Sequence, residues 1–413
     1  MSDPTPSAVP PFTSAGTQLV REPPVPVWVG AAFVMFFIRA FLFATWVSRG
    51  PEVRQALDVN TAVFGFITMA YGIGGLAAIA FAGRLVQRFG SREVALVSYA
   101  VGAAALALLG VAVAGGHPWL TSLLLVVLGA PIAIVDFVGN YEGARVEKVA
   151  RRSVFSAING AFGLGMLSAV ALGGAVSSAA VGVTTHFALV AAFSVAASSA
   201  ASLCLPRQAR LAVPVAEPVQ RREQARSVLR ERRSLLICLI GFTFIMAELS
   251  AGTWVPIALT RTGFTEADAA YALSLFWVVV TVGRLLGGLL VDAVGRHGTV
   301  LVSASVTAAG VLIFMVAGLS DGGAVLYVGL VLWGAGMASG FPMAVASMGD
   351  DPAQASVRIN MIITVVYISG VTVGPALGAV GEAFGIYIAF TIPVVLLVIS
   401  AAISRVVHPT AAP

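Results

Sequence analysis

Three ionisable side chains stand inside stretches that are otherwise apolar. Arg39 falls midway along one such stretch, Asp136 near the end of another with Asn140 one helical turn further on, and Glu248 within a third. A charge held in hydrocarbon costs about 2.5–3.5 kcal/mol unless it finds a partner or a water-filled cavity, so such residues mark solute paths, proton relays or ion pairs. Two readings stay open. Arg39 and Asp136 neutralise each other, or they and Glu248 form a working site at which a solute or a proton competes for the ion pair. Buried carboxyls titrate in a range useful for proton coupling. Asn159 and Asn360 could bond a solute or join helices. Arg284, near the end of its stretch, is expected to extend its head group to the interface. Tyr271, Trp277, Trp333, Phe341 and Tyr367 could stack on a flat or sugar-like ligand, or pack in the core.

Other chemistries are not supplied. The chain has no Gly-Lys-Ser/Thr phosphate loop and no His/Cys cluster with metal-ligand spacing. His117, His186, His297 and His408 all fall near the ends of apolar stretches, which argues against a histidine relay. Cys204 and Cys238 sit where a reducing compartment is expected, so no disulfide is expected. The reading is a protein that is not an enzyme, without metal or cofactor, driven by an ion gradient or by the solute gradient itself.

These residues must be positioned by membrane helices. Of the 413 residues, 58% are hydrophobic and 10% charged, and the mean hydropathy is +0.95. A hydrocarbon layer of about 30 Å takes roughly 20 apolar residues per helical crossing. Twelve stretches qualify, at 27–47, 61–82, 93–114, 119–140, 154–175, 185–205, 234–258, 267–290, 299–318, 323–347, 357–379 and 384–405. Ala, Leu and Gly dominate them and no two-residue alternation runs through them, which predicts helices rather than a barrel. With the first residue placed inside, 19 Lys and Arg fall in loops on the cytoplasmic side and 3 on the outer side. That asymmetry puts both termini in the cytoplasm. The net charge of +5 therefore belongs to membrane topology and lipid headgroups, and nucleic acid is not an expected partner.

The chain divides in the middle. Residues 206–233 are polar and basic, with eight Arg, and separate apolar units at 27–205 and 234–405. Residues 1–26, with seven prolines and no signal-peptide pattern, are expected to be a disordered cytoplasmic tail, and 406–413 a second tail. A short pattern occurs once in each unit. GRLVQRFGSRE begins at Gly83 and GLLVDAVGRHG begins at Gly288, 205 residues apart. The triplet Thr45-Trp46-Val47 returns as Thr253-Trp254-Val255, 208 residues on, at positions suited to outer-interface anchors. One six-helix unit used twice is the layout of an alternating-access carrier.

The repeated loop carries a family resemblance. Gly83, Arg88, Gly90 and Arg92 in the first copy, and Gly288, Asp292, Gly295 and Arg296 in the second, resemble the loop signature of the major facilitator superfamily, with Gln87 where the family has Asp. TWVSRGPEVRQALDV, GNYEGARVEK and AELSAGTWVPIAL are similar to the fucose-permease-like branch of bacterial members. The resemblance implies an all-α integral membrane protein with two pseudo-symmetric six-helix bundles in the bacterial cytoplasmic membrane, acting as a monomer. Crossings 1, 4, 7 and 10 would line a cavity, so Arg39, Asp136 and Glu248 would face it. Each hairpin would act as a cytoplasmic latch on the opposite half, with Arg88 or Arg92 meeting Asp350 or Asp351, and Asp292 near Ser153. The implied function is proton-coupled uptake of a sugar-like or other polar solute. Efflux of a drug or metabolite, and a non-transporting sensor or scaffold on the same fold, are the alternatives. Crossing 5 lacks the Gly-Pro pair of the superfamily's drug antiporters, and Gly374-Pro375 carries such a pair in crossing 11 instead.

Overall fold

The structure, a computed structural model, describes residues 23–151, 154–206, 227–320, 322–350 and 354–408; within these ranges the side chains of several helical residues, Asn159 and Asn360 among them, lie outside the description. Its helices are α1 (Val25–Ser48), α2 (Gly50–Ala56), α3 (Thr61–Phe89), α4 (Ser91–Ala114), α5 (Pro118–Ala150), α6 (Phe155–Ser178), α7 (Val183–Leu203), α8 (Arg232–Arg261), α9 (Glu266–Leu319), α10 (Val325–Met348), α11 (Ala355–Phe384), α12 (Ile386–Ala389) and α13 (Thr391–Ile403). Their starts follow local chemistry. Proline opens α1, α2 and α5, where its missing N–H costs nothing. Asn60 accepts from the Val63 amide at 2.8 Å, and Thr265 from the Asp268 amide at 3.1 Å.

Eleven helices among the described residues are long and apolar enough to cross a membrane, one fewer than the twelve crossings expected. The difference lies in α9. Its 54 residues would span about 80 Å as a single straight helix, far more than one bilayer. Gly295, with φ 69° and ψ 176°, breaks it into two limbs, so the described fold has twelve crossings. Gly90, 205 residues earlier, turns α3 into α4 with φ 88°. The second glycine of each repeated motif is therefore the one residue in its hairpin whose left-handed backbone an L side chain would resist.

Two loops expected from the sequence are helical. Residues 50–56 form the short α2, and α5 continues to Ala150, ten residues beyond the expected end of its crossing. A helix need not stop at the hydrocarbon edge, because its backbone is already satisfied and its polar side chains reach the headgroup layer.

Within the first half α1 packs on α6 and α7, and α5 on α3 and α4; in the second, α10 lies against α9, and α8 against α9, α10, α11 and α13. Among the described residues the halves meet chiefly along two seams, α3 with α11 and α6 with α9, with smaller contacts of α1 and α2 on α8. The first is a glycine-to-backbone contact. A methyl group added at Gly65 would lie 2.2 Å from the Gly374 carbonyl oxygen, and one at Gly72 would lie 2.6 Å from the Gly370 carbonyl carbon. The Gly370, Gly374, Gly378 ridge of α11 thus meets bare backbone across the halves. In the second seam, Gly163 faces Thr281 and Gly174 faces the Tyr271 ring.

The halves are also joined at the end that carries Thr61. The Thr61 amide donates to Glu382 Oε2 at 2.9 Å, and Arg261 reaches the Thr61 hydroxyl. Trp46 and Trp254, the paired tryptophans of the repeated triplet, do not anchor at an interface. Both are buried, and both pack on Phe64, with ring centroids 6.3 and 6.1 Å away. The repeat places one tryptophan from each half on the same phenylalanine. At the opposite end, Arg84, Gln87, Arg88, Asp292 and Gly295 are exposed.

Candidate functional site

The first half holds its charge pair between α1 and α5. Arg39 Nη1 is 2.5 Å from Asp136 Oδ1. The guanidinium is covered by aromatic faces, 4.6 Å from the Phe162 centroid and 5.2 Å from that of Phe36. Such stacking suits arginine, whose planar head is weakly hydrated. Gly139 makes room for this on α5, because a methyl group there would lie 2.8 Å from the Phe36 ring. Asn140 donates to Asp136 Oδ1 at 3.0 Å and to the Asp136 carbonyl at 2.8 Å, as its place one turn along the same face allows. The Arg39 Nε is buried without a bonded partner among the described residues.

The other half reaches into this cluster. Tyr367 on α11 donates its hydroxyl to Asp136 Oδ2 at 3.2 Å. Its ring lies flat enough on α3 that a methyl group at Gly75 would be 2.8 Å from it. Asp136 therefore receives donors from three helices, one of them across the seam. Of the five aromatics considered from the sequence, Tyr367 is the one brought to this carboxylate. Trp277 and Trp333 are buried against Phe276, and Trp333 also packs on Phe314 and Phe390, with centroids 5.5–6.0 Å apart. These two form core, not a ligand surface. Tyr271 packs on Gly174, and Phe341 is half-buried.

The second half has a pair of its own. Arg284 Nη2 on α9 donates to Glu248 Oε2 on α8 at 2.9 Å. The Glu248 side chain is 9% exposed and that of Arg284 30%. Arg284 does not reach for the interface as expected. A guanidinium in an apolar layer gains more from a carboxylate on the neighbouring helix than from stretching to the surface. Sequence spacing gave no signal for this pair, because the two residues are 36 positions apart on different helices. Asn159 and Asn360 fall within α6 and α11, but their side chains lie outside the described residues.

The repeated hairpins lead into a second polar cluster. Asp350, just past the end of α10, was expected to meet Arg88 or Arg92. With the hairpins exposed as they are here, it pairs with two arginines of its own half, Arg296 at the start of the second limb of α9, and Arg233 at the start of α8, 2.8 Å away. Burial alone would raise the Asp350 carboxyl, but the bonds from Arg296 and Arg233 outweigh it and hold the group below the usual carboxylate range. Arg233 also donates to the carbonyls of Val406 and His408, and Arg358 pairs with Glu231 at 2.7 Å. The suggested partners Asp351 and Ser153 lie outside the described residues.

The first half repeats this node in different chemistry. Glu142 on α5 is fully buried; it accepts from Trp28 Nε1 at 3.1 Å, bonds Ser91 and pairs with Arg145 at 3.2 Å. Trp28 and Arg233 are 205 residues apart, Ser91 and Arg296 are 205 apart, and Glu142 and Asp350 are 208 apart. An acid just beyond one crossing thus gathers the starts of two other helical limbs in each half. Hydrogen bonds from Trp28 and Ser91 take the places that salt bridges from arginines take in the second. Of the remaining hairpin residues, Gln87, Arg88 and Asp292 are exposed, Gly83 faces Phe137, Gly288 has open space around it, and Arg92 is half-buried.

The likeness to known proteins extends over nearly the whole chain. An uncharacterised MFS-type transporter from Yersinia pestis is 27% identical over 375 residues, covering 90% of this chain and 94% of that one. Among solved structures, the nucleoside transporter NupG superposes with a TM-score of 0.76 at 15% identity, covering 92% of this chain and 100% of that one. The Escherichia coli fucose:proton symporter FucP superposes with a TM-score of 0.66 at 19% identity, covering 92% and 98%. The family model of the Major Facilitator Superfamily matches residues 28–375. With its twelve crossings, its halves related by a shift of about 205 residues and that match, the chain belongs to the Major Facilitator Superfamily of membrane transporters.

Proposed function

We propose that this protein is a secondary active transporter that takes up a small polar solute, sugar-like in its hydroxyl groups, by alternating access coupled to protons. The observation that carries the reading is the Asp136 carboxylate, which binds Arg39 from its own half and Tyr367 from the other. The described donors to Asp136, Arg39, Asn140 and Tyr367, are groups that a hydroxyl-bearing solute or a proton can displace. Displacing Tyr367 also removes a contact between the halves. Glu248 and Arg284 supply a second exchangeable pair in the second half. The activities of the similar structures, nucleoside transport and fucose:proton symport, agree with a hydroxyl-rich solute and a proton. The stretches that resemble the fucose-permease-like branch point the same way.

The Lys/Arg asymmetry supports both termini in the cytoplasm of a bacterial cell. The Gly90/Gly295 end then faces the cytoplasm, and the exposure of its hairpins belongs to an inward-facing state. In the outward-facing state the hairpins, residues 83–92 and 288–296, would latch onto the opposite half. The moving bodies are residues 27–205 and 234–405, joined by the basic loop 206–233, in a monomer. The missing Gly-Pro pair in α6 favours uptake over drug efflux.

Reconstituted vesicles with an imposed pH gradient test the reading, with radiolabelled sugars, nucleosides and organic acids as candidate solutes. Uptake should follow the gradient, and Asp136→Asn should abolish gradient-driven uptake while leaving expression intact. A wild-type rate that ignores the gradient would sink proton coupling, and no uptake of any polar solute would sink the solute class.

A further inference from the structure

Tyr367 occupies an unusual place. The contacts of α3 with α11 run as glycine against backbone at Gly65–Gly374 and Gly72–Gly370, and Gly75, three residues beyond Gly72 on α3, meets the Tyr367 ring. At this point a packed, apolar seam touches a charged group of the first half through a single hydroxyl. Among the described residues, the other polar groups near Asp136 belong to its own half. They are Arg39 on α1, Asn140 on α5, and the Tyr71 and Tyr99 hydroxyls on α3 and α4, which share the field of the Arg39–Asp136 pair. Tyr99 is committed to the Met35 carbonyl. Of these neighbours, Tyr367 is the one carried by the other half.

We infer that Tyr367 is the positioning residue that reports the charge of Asp136 to the second half, so that an ionised Asp136 holds the α3–α11 seam closed and an uncharged or solute-occupied Asp136 releases it. This rests on the reading of Asp136 as the exchanging site. The physical basis is the asymmetry of hydrogen bonds. A phenol donating to a carboxylate makes a charge-assisted bond, roughly twice as strong as one to a neutral acceptor. A bound proton or solute shifts the two facing states only by the difference in its interactions between them. Here that difference passes through one bond that exists only with the seam closed. The expected shift is about fivefold to tenfold in the ratio of the two states.

The test measures conformation without solute or gradient. Spin labels at Gln87→Cys and Ala293→Cys, both exposed on the hairpins, report the separation of the halves at that end, in a background of Cys204→Ser and Cys238→Ala, in nanodiscs. Wild type should favour the long distance at high pH and shift toward the short one as pH falls. Tyr367→Phe keeps the ring on Gly75 and removes only the hydroxyl. It should shift the population about fivefold to tenfold toward the short distance and flatten the pH dependence. Asp136→Asn should shift it similarly, and the double variant should shift it no further than either single. Wild-type populations and pH response in Tyr367→Phe would overturn the assignment, as would additive shifts in the double variant. Because no transport is measured, failure here is distinct from failure of proton-coupled uptake in vesicles.

Discussion

Removing Arg284 separates packing from charge in the second half. Arg284 Nη2 lies 2.9 Å from Glu248 Oε2, and the Glu248 side chain is 9% exposed. Breaking a fully buried pair by removing one partner typically costs 3–5 kcal/mol, because the remaining charge is left without compensation. Arg284 is 30% exposed, so water screens part of the attraction and the expected cost of Arg284→Gln falls to about 2–3 kcal/mol. For a cooperative unit of this size that is a fall in Tm of roughly 5–10 °C. Glu248→Gln/Arg284→Gln removes both charges and leaves two amides that can bond each other. It should recover at least half of the loss. Thermal unfolding of the four proteins in one detergent measures this, and vesicle uptake is read in parallel. A stable double variant without uptake would make the pair a working site; a stable double variant with wild-type uptake would make it a structural neutralisation. The reasoning fails if Arg284→Gln unfolds at the wild-type temperature, or if the double variant loses as much as the sum of the singles.

Three further outcomes follow from particular contacts. Because Arg233 and Arg296 depress the folded-state carboxyl of Asp350, its contribution to stability is present above the unfolded carboxylate range and is lost as pH falls through the folded value. Asp350→Asn should therefore lower Tm at pH 7 and flatten its decline in acid; an unchanged acid profile would count against the pairing. Gly72→Leu cannot be accommodated against the Gly370 backbone without parting the seam, so hairpin labels should report a shorter distance, with folding retained by size-exclusion chromatography. An unshifted distance would remove the seam from the conformational change. Gly295→Ala meets open space but a φ of 69°, so its cost should be conformational, about 1 kcal/mol in thermal unfolding. No loss would mean that the hairpin relaxes to a right-handed backbone.

The sequence announced its polar residues more clearly than their partners. Arg39, Asp136 and Glu248 stood out because a charge in an apolar run is visible without any tertiary information. Asn140 was legible as well, since a four-residue step fixes its place beside Asp136. Tyr367, Arg284 and Asp350 were named, but their roles were not readable. Tyr367 looked like one aromatic among five, Arg284 like a residue able to reach the headgroups, and Asp350 like a partner for the opposite hairpin. Each role depends on a contact with another helix at least 36 positions away. The tryptophan triplet is a mixed case. Its repetition was visible, but that Trp46 and Trp254 converge on Phe64 was not.

What the sequence determined by itself is the class, the number of crossings and the duplication. Hydrocarbon imposes a length on each helix, backbone hydrogen bonds are satisfied within it, and a repeated Gly90/Gly295 turn needs only local geometry. Those are properties of one segment at a time. The tertiary structure decided which charges neutralise each other, which glycine ridge faces bare backbone, and which hydroxyl crosses from one half to the other. The physical reason is that apolar helices in a bilayer bury nearly equivalent faces, so composition sets little preference among neighbours. Close backbone approach at Gly65 and Gly72 and the few polar contacts between helices make that choice, and they exist only once both halves have packed.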